Sequence, residues 1–200
     1  MSAEVSPQDE AALIQAAQRG DVASFNELVL AYQALAYNVA FRLVGDADLA
    51  ADVTQEAFFN AFRHIRALRG HTFRPWLLRI VTNACYDALR QRRREAALSL
   101  DDATDEAQAM PRAESVASEA STPLELAERS ELRRLIARAV LSLPFEQRSV
   151  FVLADVHCLS YEEIAAVLDV PLGTVKSRLS RARAHLREVL LRHAELLPDV

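Results

Sequence analysis

The stretch LSYEEIAAVLDVPLGTVKSRLSRAR, residues 159–183, contains two short helical patterns separated by a turn. Ser160 stands three residues before Glu163, which is the spacing of a capping box, where a hydroxyl and a carboxylate each bind a free backbone donor. We therefore predict a first helix that starts at Ser160 or Tyr161. Apolar residues continue at helical spacing as far as Leu168, which gives this helix a face that can pack.

A second helix is predicted directly after the turn. Asp169 stands where glycine would be easiest, but aspartate tolerates the left-handed backbone better than most residues. Pro171 suits a helix start, where its missing N–H costs little, so this helix opens at Pro171 or Leu172. At about 100° per residue, an apolar face and a polar face lie on opposite sides. The apolar face contains Val175, Leu179, Ala182, Leu186 and Leu190, and the polar face contains Thr174, Ser177, Arg178 and Arg181.

This pair of helices is typical of a helix-turn-helix that reads duplex DNA. Arginine can bind guanine through two donors, and short hydroxyls reach bases or phosphates in the major groove. Lys176, Arg183 and Arg187 lie on one flank of the polar face, and we expect them to contact phosphates. The alternative is an ordinary amphipathic hairpin whose basic face is only solvated.

The composition favours an all-α protein. The 200 residues are 51% hydrophobic and 6% aromatic, with only four glycines and no long strand-like alternation. No apolar run approaches a membrane span, and the polar, acidic start is neither a signal peptide nor an anchor. We therefore expect a cytoplasmic protein that is not a membrane protein. Cys85 and Cys158 lie far apart without other ligands at metal spacing, which favours buried free thiols over a disulfide or a zinc site.

Charge is distributed unevenly along the chain. The net charge of −5 divides into −7 for residues 1–62, +8 for 63–94, −8 for 95–128, −1 for 129–170 and +3 for 171–200. Neutralising phosphates requires local positive charge rather than a basic total. The two basic segments therefore predict two nucleic-acid surfaces, and the acidic start predicts a surface for another partner.

The acidic segment after residue 94 also marks a domain boundary. It is rich in Ala, Ser, Asp and Glu and lacks a sustained apolar face, so it cannot easily offset its ordering entropy. We predict two small helical domains, residues 1–94 and 128–200, joined by a flexible acidic linker at 95–127. A short solvated helix within the linker is the alternative.

Three amphipathic helices are predicted ahead of the linker. The first covers residues 25–43 and stops near Gly45, the second runs from about 49 to 65, and the third begins at Pro75. One face of the third helix combines an aromatic ring, an amide and arginines, on which unstacked bases can lie and form hydrogen bonds. A tryptophan at this spacing is also common in a protein core, which is the alternative. The face contains Trp76, Arg79, Ile80, Asn83 and Arg90.

Three strings of this sequence resemble the extracytoplasmic-function sigma factors, group 4 of the sigma-70 superfamily of RNA polymerase subunits. They are FNELVLAYQALAYNVAFRLVGDADLAADVTQEAFFNAF, FRPWLLRIVTNACYDALRQRRR and LPFEQRSVFVLADVHCLSYEEIAAVLDVPLGTVKSRLSRARAHL. The resemblance covers roughly residues 20–94 and 130–190, in the family's order and with the expected linker between them. Many regulators share the helix-turn-helix, but they do not share the domain before it.

The resemblance implies a sigma subunit that binds the RNA polymerase core, recognises the minus-35 and minus-10 promoter elements and opens the duplex. It implies no enzymatic chemistry, no cofactor and no metal. Asp52, Gln55 and Glu56 match the positions that bind the clamp helices of the largest polymerase subunit, and the flap of the second largest subunit is a further contact. Family members are commonly inhibited by an anti-sigma factor that covers both domains. Without the resemblance, these three polar residues would be read as solvated surface.

The same similarity assigns the DNA contacts. The loop at about 66–74 and the helix from Pro75 engage the minus-10 element, and a non-template base flips into a pocket near Asn83. Alternatively, Phe73 and Trp76 are core residues that only shape the loop. The minus-10 positions are Arg66, Arg69, Gly70, Phe73, Trp76, Arg79, Ile80 and Asn83. The minus-35 positions are Pro171, Gly173, Thr174, Lys176, Ser177, Arg178 and Arg181.

Two other classes of protein are weighed against this one. A two-domain regulator would bind DNA through the helix-turn-helix and use its first helices for dimerisation or ligand sensing. It would not need the +8 segment or the acidic helix before it. An enzyme with an appended DNA-binding module finds little support, because the sequence has no glycine-rich phosphate loop, metal cluster or recognisable nucleophile motif.

Overall fold

The computed structural model describes residues 6–70, 72–98 and 123–192, and every regular element in them is helical, which confirms the predicted all-α class. A 3-10 turn, Ile65–Ala67, follows the third helix, and a π-helical segment, Val152–Val156, continues the sixth. None of the described helices is both long and apolar enough to cross a membrane. The helices are α1 (Pro7–Gln18), α2 (Val22–Val44), α3 (Ala47–His64), α4 (Phe73–Leu98), α5 (Pro123–Ser142), α6 (Phe145–Phe151), α7 (Tyr161–Leu168) and α8 (Leu172–Leu191).

Local side chains and one glycine fix the ends of α2 and α3. At the start of α2, the Asp21 carboxylate accepts a hydrogen bond from the backbone N–H of Ala23 at 3.1 Å. The helix ends at Gly45, whose φ of 78° is the left-handed conformation that favours glycine. The Asp46 carboxylate then accepts a hydrogen bond from the backbone N–H of Leu49 at 3.0 Å, which starts α3 and keeps the pKa of Asp46 below its usual value.

The first four helices pack around an apolar centre in which Phe73 is fully buried. Its ring contacts the rings of Phe25, Tyr32 and Trp76, with centroids 6.4, 5.4 and 5.7 Å away. Edge-on and tilted aromatic pairs at such distances are favourable beyond the area they bury. Because Phe73 is the first residue of α4, this packing fixes where that helix begins.

The buried guanidinium of Arg148 in α6 joins the second half of the chain to the first. It donates hydrogen bonds to the carbonyl oxygens of Leu43 in α2 and Leu141 in α5, and to that of Leu143 at 2.9 Å. Burial lowers the pKa of Arg148, and the three carbonyls offset the cost of removing its charge from water. A Cβ on Gly45 would lie 2.8 Å from the Leu141 side chain, so α5 packs closely against the end of α2.

Some predicted boundaries change. The helix α4 begins at Phe73, ahead of the predicted start at Pro75, because the Phe73 side chain is drawn into the core. Helix also occupies both ends of the segment 95–127, since α4 continues to Leu98 and α5 begins at Pro123. The centre of the predicted flexible linker lies outside the described residues. The helices α1, α5 and α6 were not predicted from the sequence.

The two cysteines differ in exposure. Cys85 is buried as predicted, and burial raises the pKa of its thiol to about 12. The prediction that Cys158 is buried is wrong, because it lies in the turn before α7 with a left-handed φ of 54° and is exposed. Within the described parts of the chain, no group of three or more His, Cys, Asp or Glu residues could bind a metal ion.

Candidate nucleic-acid interface

The predicted capping box is present at the start of α7. The backbone N–H of Ser160 donates to Glu163 Oε2 at 2.8 Å, and the backbone N–H of Glu163 donates to the Ser160 hydroxyl at 3.2 Å. Hydrogen bonds from Ser160 lower the pKa of Glu163. The helix ends at Asp169, which has the predicted left-handed conformation with φ 54° and ψ 49°. The chain therefore makes the helix-turn-helix geometry that its sequence predicts.

The second helix of this motif, α8, begins at Leu172 directly after Pro171. Its predicted apolar face packs inward, with Val175, Leu179 and Ala182 buried. The opposite side of its first turns brings the predicted minus-35 positions together on a largely exposed surface. Pro171, Gly173, Lys176, Ser177 and Arg181 are exposed there, and Thr174 and Arg178 are half-buried.

Arg183 differs from the expectation that it contacts a phosphate. Its Nε donates to Asp155 Oδ2 at 2.9 Å, and its Nη2 donates to the other carboxylate oxygen. This two-point pairing with Asp155 raises the pKa of Arg183. Because the carboxylate already neutralises this guanidinium, the basic residues nearer the start of α8 are the better candidates for DNA contacts.

The predicted minus-10 positions lie on the α3–α4 loop, described here for residues 65–70 and 72, and on one side of α4. Their exposure separates them into three groups. Arg66, Arg69, Gly70, Arg79 and Asn83 are exposed, Trp76 and Ile80 are half-buried, and Phe73 has no exposed surface. The exposed group combines arginines with an amide, which are donors for phosphates and base edges.

Phe73 is corrected from a DNA contact to a core residue. Its side chain is 0% exposed and surrounded by other aromatic rings, so no base can reach it in this structure. The ring of Trp76 packs against it and keeps only part of its own surface exposed. The burial of Phe73 therefore fits the interpretation in which it is a core residue that shapes the loop.

The helix-turn-helix half lies against the start of α4. Arg74 Nη2 donates a hydrogen bond to the backbone carbonyl of His157 at 2.8 Å, and Arg79 Nη2 lies 3.3 Å from Asp169 Oδ2. Burial, with the charges of Arg42 and Arg74, lowers the pKa of His157 to about 4. The two surfaces predicted for DNA thus meet at one edge, where two arginines of α4 bind the helix-turn-helix half.

Glu10, a charged residue that is only 8% exposed, was not predicted from the sequence. Its Oε1 accepts a hydrogen bond from the backbone N–H of Phe73 at 2.6 Å, and its Oε2 accepts one from the hydroxyl of Tyr32 at 2.5 Å. Burial, followed by this bond to Glu10, raises the pKa of Tyr32. One sequence feature could have indicated Glu10: it stands four residues before Ile14, on the apolar side of α1.

One side of α3 combines polar and apolar groups. Asp52, Gln55 and Glu56 are all exposed, and their spacing places them on one face of the helix. Phe59 and Phe62 follow on the same side and are 62% and 43% exposed, respectively. An open groove between α2 and α3 begins beside them. It is lined by Phe25, Val29, Tyr37, Gln55, Phe59 and Phe62.

Comparison with known proteins identifies both halves. Residues 28–95 match the family model for sigma-70 region 2, and residues 133–186 match the model for sigma-70, region 4. The sigma-E factor of Escherichia coli K12, an extracytoplasmic-function (ECF) RNA polymerase sigma factor, is 38% identical over 177 residues, which cover 86% of this chain and 88% of that protein. The chain belongs to the ECF sigma factors. In this sigma factor, region 2 contains α4 and the α3–α4 loop, and region 4 contains the helix-turn-helix.

Further relatives agree in sequence and in fold. The ECF sigma factor SigE of Mycolicibacterium smegmatis is 39% identical over 171 residues, and the match spans 86% of this sigma factor but only 63% of that longer protein. A solved complex of the sigma factor RpoE with the anti-sigma factor NepR, from Bartonella quintana, matches with a TM-score of 0.66 and 28% identity over 84% of this chain and 98% of that one. CnrH in complex with the cytosolic domain of CnrY matches with a TM-score of 0.66 and 25% identity over 91% and 97%.

Proposed function

We propose that this sigma factor binds the RNA polymerase core, recognises the minus-35 and minus-10 elements of a promoter and promotes opening of the duplex. The observation that carries the proposal is the presence of regions 2 and 4, in that order, on one chain that concentrates its positive charge in both. A regulator that only binds duplex DNA needs one such surface. Positive charge at two separated segments suits a protein that contacts two parts of one promoter.

The exposed face of α3 is the proposed contact with the polymerase. Asp52 and Glu56 supply negative charge, and Phe59 and Phe62 supply exposed apolar surface beside it. Exposed aromatic side chains in a polar surround are typical of protein interfaces. The resemblance to the family assigns Asp52, Gln55 and Glu56 to the clamp helices of the largest subunit, and region 4 to the flap of the second largest.

Region 2 supplies the proposed minus-10 contact. The α3–α4 loop presents Arg66 and Arg69 to the phosphates, and Asn83 lies further along the same side of α4, where an unstacked base can form hydrogen bonds. Flipping a base costs a few kcal/mol of unstacking, which contacts in the pocket must offset. Trp76, half-buried against the core, supports the pocket wall.

Region 4 supplies the proposed minus-35 contact through the first turns of α8. In this proposal Arg178 and Arg181 bind base edges, and Lys176 and Ser177 bind phosphates or bases. The ion pair between Arg79 and Asp169 is exchanged for DNA when α4 binds the promoter.

The partners of this sigma factor follow from its relatives. The two similar structures were solved as complexes of a sigma factor with an anti-sigma factor or with the cytosolic domain of a partner protein. We propose that an anti-sigma factor likewise controls this chain, that it acts in the cytoplasm, and that it performs no enzymatic chemistry of its own. Its action is binding and duplex opening, for which the proposal needs no cofactor.

Run-off transcription with purified core polymerase on genomic DNA fragments tests the proposed function. Core plus this sigma factor should give discrete transcripts that core alone does not give, and the transcript starts locate the promoters. The alternative, a two-domain regulator, predicts binding to duplex fragments without association with the core. Duplex binding with neither core association nor transcripts would therefore favour the regulator.

A further inference from the structure

The helix α1 binds both ends of the α3–α4 loop. At the start of the loop, Gln18 Nε2 donates hydrogen bonds to the carbonyl oxygens of Ile65 at 3.2 Å and Leu68 at 2.9 Å. At its end, the carboxylate of Glu10 accepts the backbone N–H of Phe73 at 2.6 Å. Between these contacts lie the loop residues proposed to bind the minus-10 element. One helix, distant in sequence, therefore fixes the two points from which this loop extends.

The bond from Phe73 to Glu10 suits the start of a helix. The first backbone N–H groups of α4 have no acceptor within the helix, and a carboxylate is favourable at this positive end. Charge also makes the hydrogen bond stronger than one between neutral groups. The acceptor is fixed in place because Glu10 is itself buried and its second oxygen binds the Tyr32 hydroxyl at 2.5 Å.

The helix that carries these two contacts is packed into the core. Glu10 and Gln18 lie on the side of α1 that also carries Ile14 and Ala17, which are 1% and 3% exposed. This apolar side packs into the centre of region 2. The backbone that carries both polar contacts is therefore anchored by packing, so the loop is attached to a helix that is itself fixed to the core.

We infer that Glu10 and Gln18 are positioning residues for the minus-10 element. They act through the loop, which they keep in the shape that receives a flipped base, and the inference rests on the proposed function. A loop that is already ordered loses less conformational freedom when DNA binds. The resulting gain in affinity is selective, because it requires a base that enters the pocket. DNA that binds the protein only through its phosphates does not receive this gain.

A pair of fork-junction DNAs tests the inference with holoenzyme assembled from the full chain and polymerase core. Both forks come from a promoter that the wild-type holoenzyme transcribes, and one carries an abasic site in place of the flipped base. The ratio of the two affinities measures how much the base in the pocket contributes to binding. We expect this ratio to fall about tenfold in the variant Glu10→Ala with Gln18→Ala, the order expected when hydrogen bonds to a charged group are lost.

Matched variants separate positioning from loss of fold. Gln15→Ala removes an exposed glutamine from the same helix and should leave the ratio unchanged. Glu10→Gln keeps an acceptor for the backbone N–H of Phe73 and should restore part of the affinity ratio. If the Glu10→Ala variant does not fold, the double variant Glu10→Gln with Gln18→Ala is tested in its place. Equal losses on both forks, with an unchanged ratio, would overturn the positioning role. A wild-type holoenzyme that transcribes no promoter, so that no such fork can be made, would overturn the proposed function itself.

Discussion

Arg79 of α4 and Asp169 of the helix-turn-helix form an ion pair, with Nη2 and Oδ2 3.3 Å apart. The pair joins the surface proposed for the minus-10 element to the turn that precedes the surface proposed for the minus-35 element. The side chains are 49% and 82% exposed, so the pair contributes at most about 1 kcal/mol to stability. DNA can therefore displace it at small cost.

Arg79→Ala should impair promoter opening, whereas Asp169→Asn should not. Both substitutions break the same ion pair, and asparagine tolerates the left-handed backbone at position 169. Only a DNA contact by Arg79 makes the two variants differ. Permanganate footprinting of the minus-10 region with each holoenzyme measures the difference, and equal effects of the two changes would contradict the contact.

Replacing Asp52, Gln55 and Glu56 together by alanine should weaken binding to the polymerase core by about tenfold or more, equivalent to about 1.4 kcal/mol. The three side chains are exposed, so their removal should leave the fold intact. A fluorescence titration with labelled core gives the affinity. Glu27→Ala, which removes an exposed acid from α2, is the control, and wild-type affinity in the triple variant would exclude this face as the contact.

Arg178→Ala or Arg181→Ala should weaken binding to the minus-35 element by about 1–3 kcal/mol if the residue binds a base. Preference at one base pair should relax at the same time. Competition binding against a set of single-base variants of the promoter measures both effects. Arg192→Ala, at the far end of α8, is the control. A uniform loss across unrelated DNA would instead identify a phosphate contact.

Asn83→Ala should impair promoter opening while binding to the closed duplex stays near normal. The amide lies exposed on α4, and the proposal assigns it to a base that has left the stack. Permanganate reactivity in the minus-10 region reports opening, and a mobility shift reports duplex binding. Asp87→Ala, one turn further along α4, is the matched control. Unchanged reactivity in the Asn83 variant would remove this residue from the proposed pocket.

Stability should depend on pH through His157. Its pKa is lowered to about 4 by burial, Arg42 and Arg74, below the value of about 6.5 for an unfolded histidine. The folded state therefore disfavours protonation, so this contribution is fully present above about pH 6.5 and is lost as pH falls towards 4. Urea unfolding across this range should show a smaller loss for His157→Gln than for the wild type. Identical pH dependence of the two unfolding free energies would contradict the assignment.

The helix-turn-helix could be predicted from sequence because its determinants are local. Ser160 and Glu163 lie within one turn of each other, and Asp169 and Pro171 end one helix and start the next without help from distant residues. The apolar face of α8 follows from its period alone. The predicted face was correct for Val175, which is fully buried.

The roles of Phe73 and Glu10 could not be predicted in the same way. Phe73 lies among arginines in the sequence, and only the approach of α1 and α2 shows that its ring belongs to the core. Glu10 contacts an amide 63 positions away, a separation that no local pattern encodes. Arg148 is a similar case, because its acceptors include the carbonyl of Leu43, 105 positions away.

The helical class, the helix-turn-helix and the family could all be inferred from the amino-acid sequence, since helix caps, hydrophobic period and charge distribution act over a few residues or by simple summation. The folded chain was needed to show which aromatic residue of α4 is buried, which acid of α1 binds the α3–α4 loop and which arginines of α4 bind the helix-turn-helix half. These outcomes depend on hydrogen bonds and packing between distant segments. Their geometry exists only after the chain has closed those long loops.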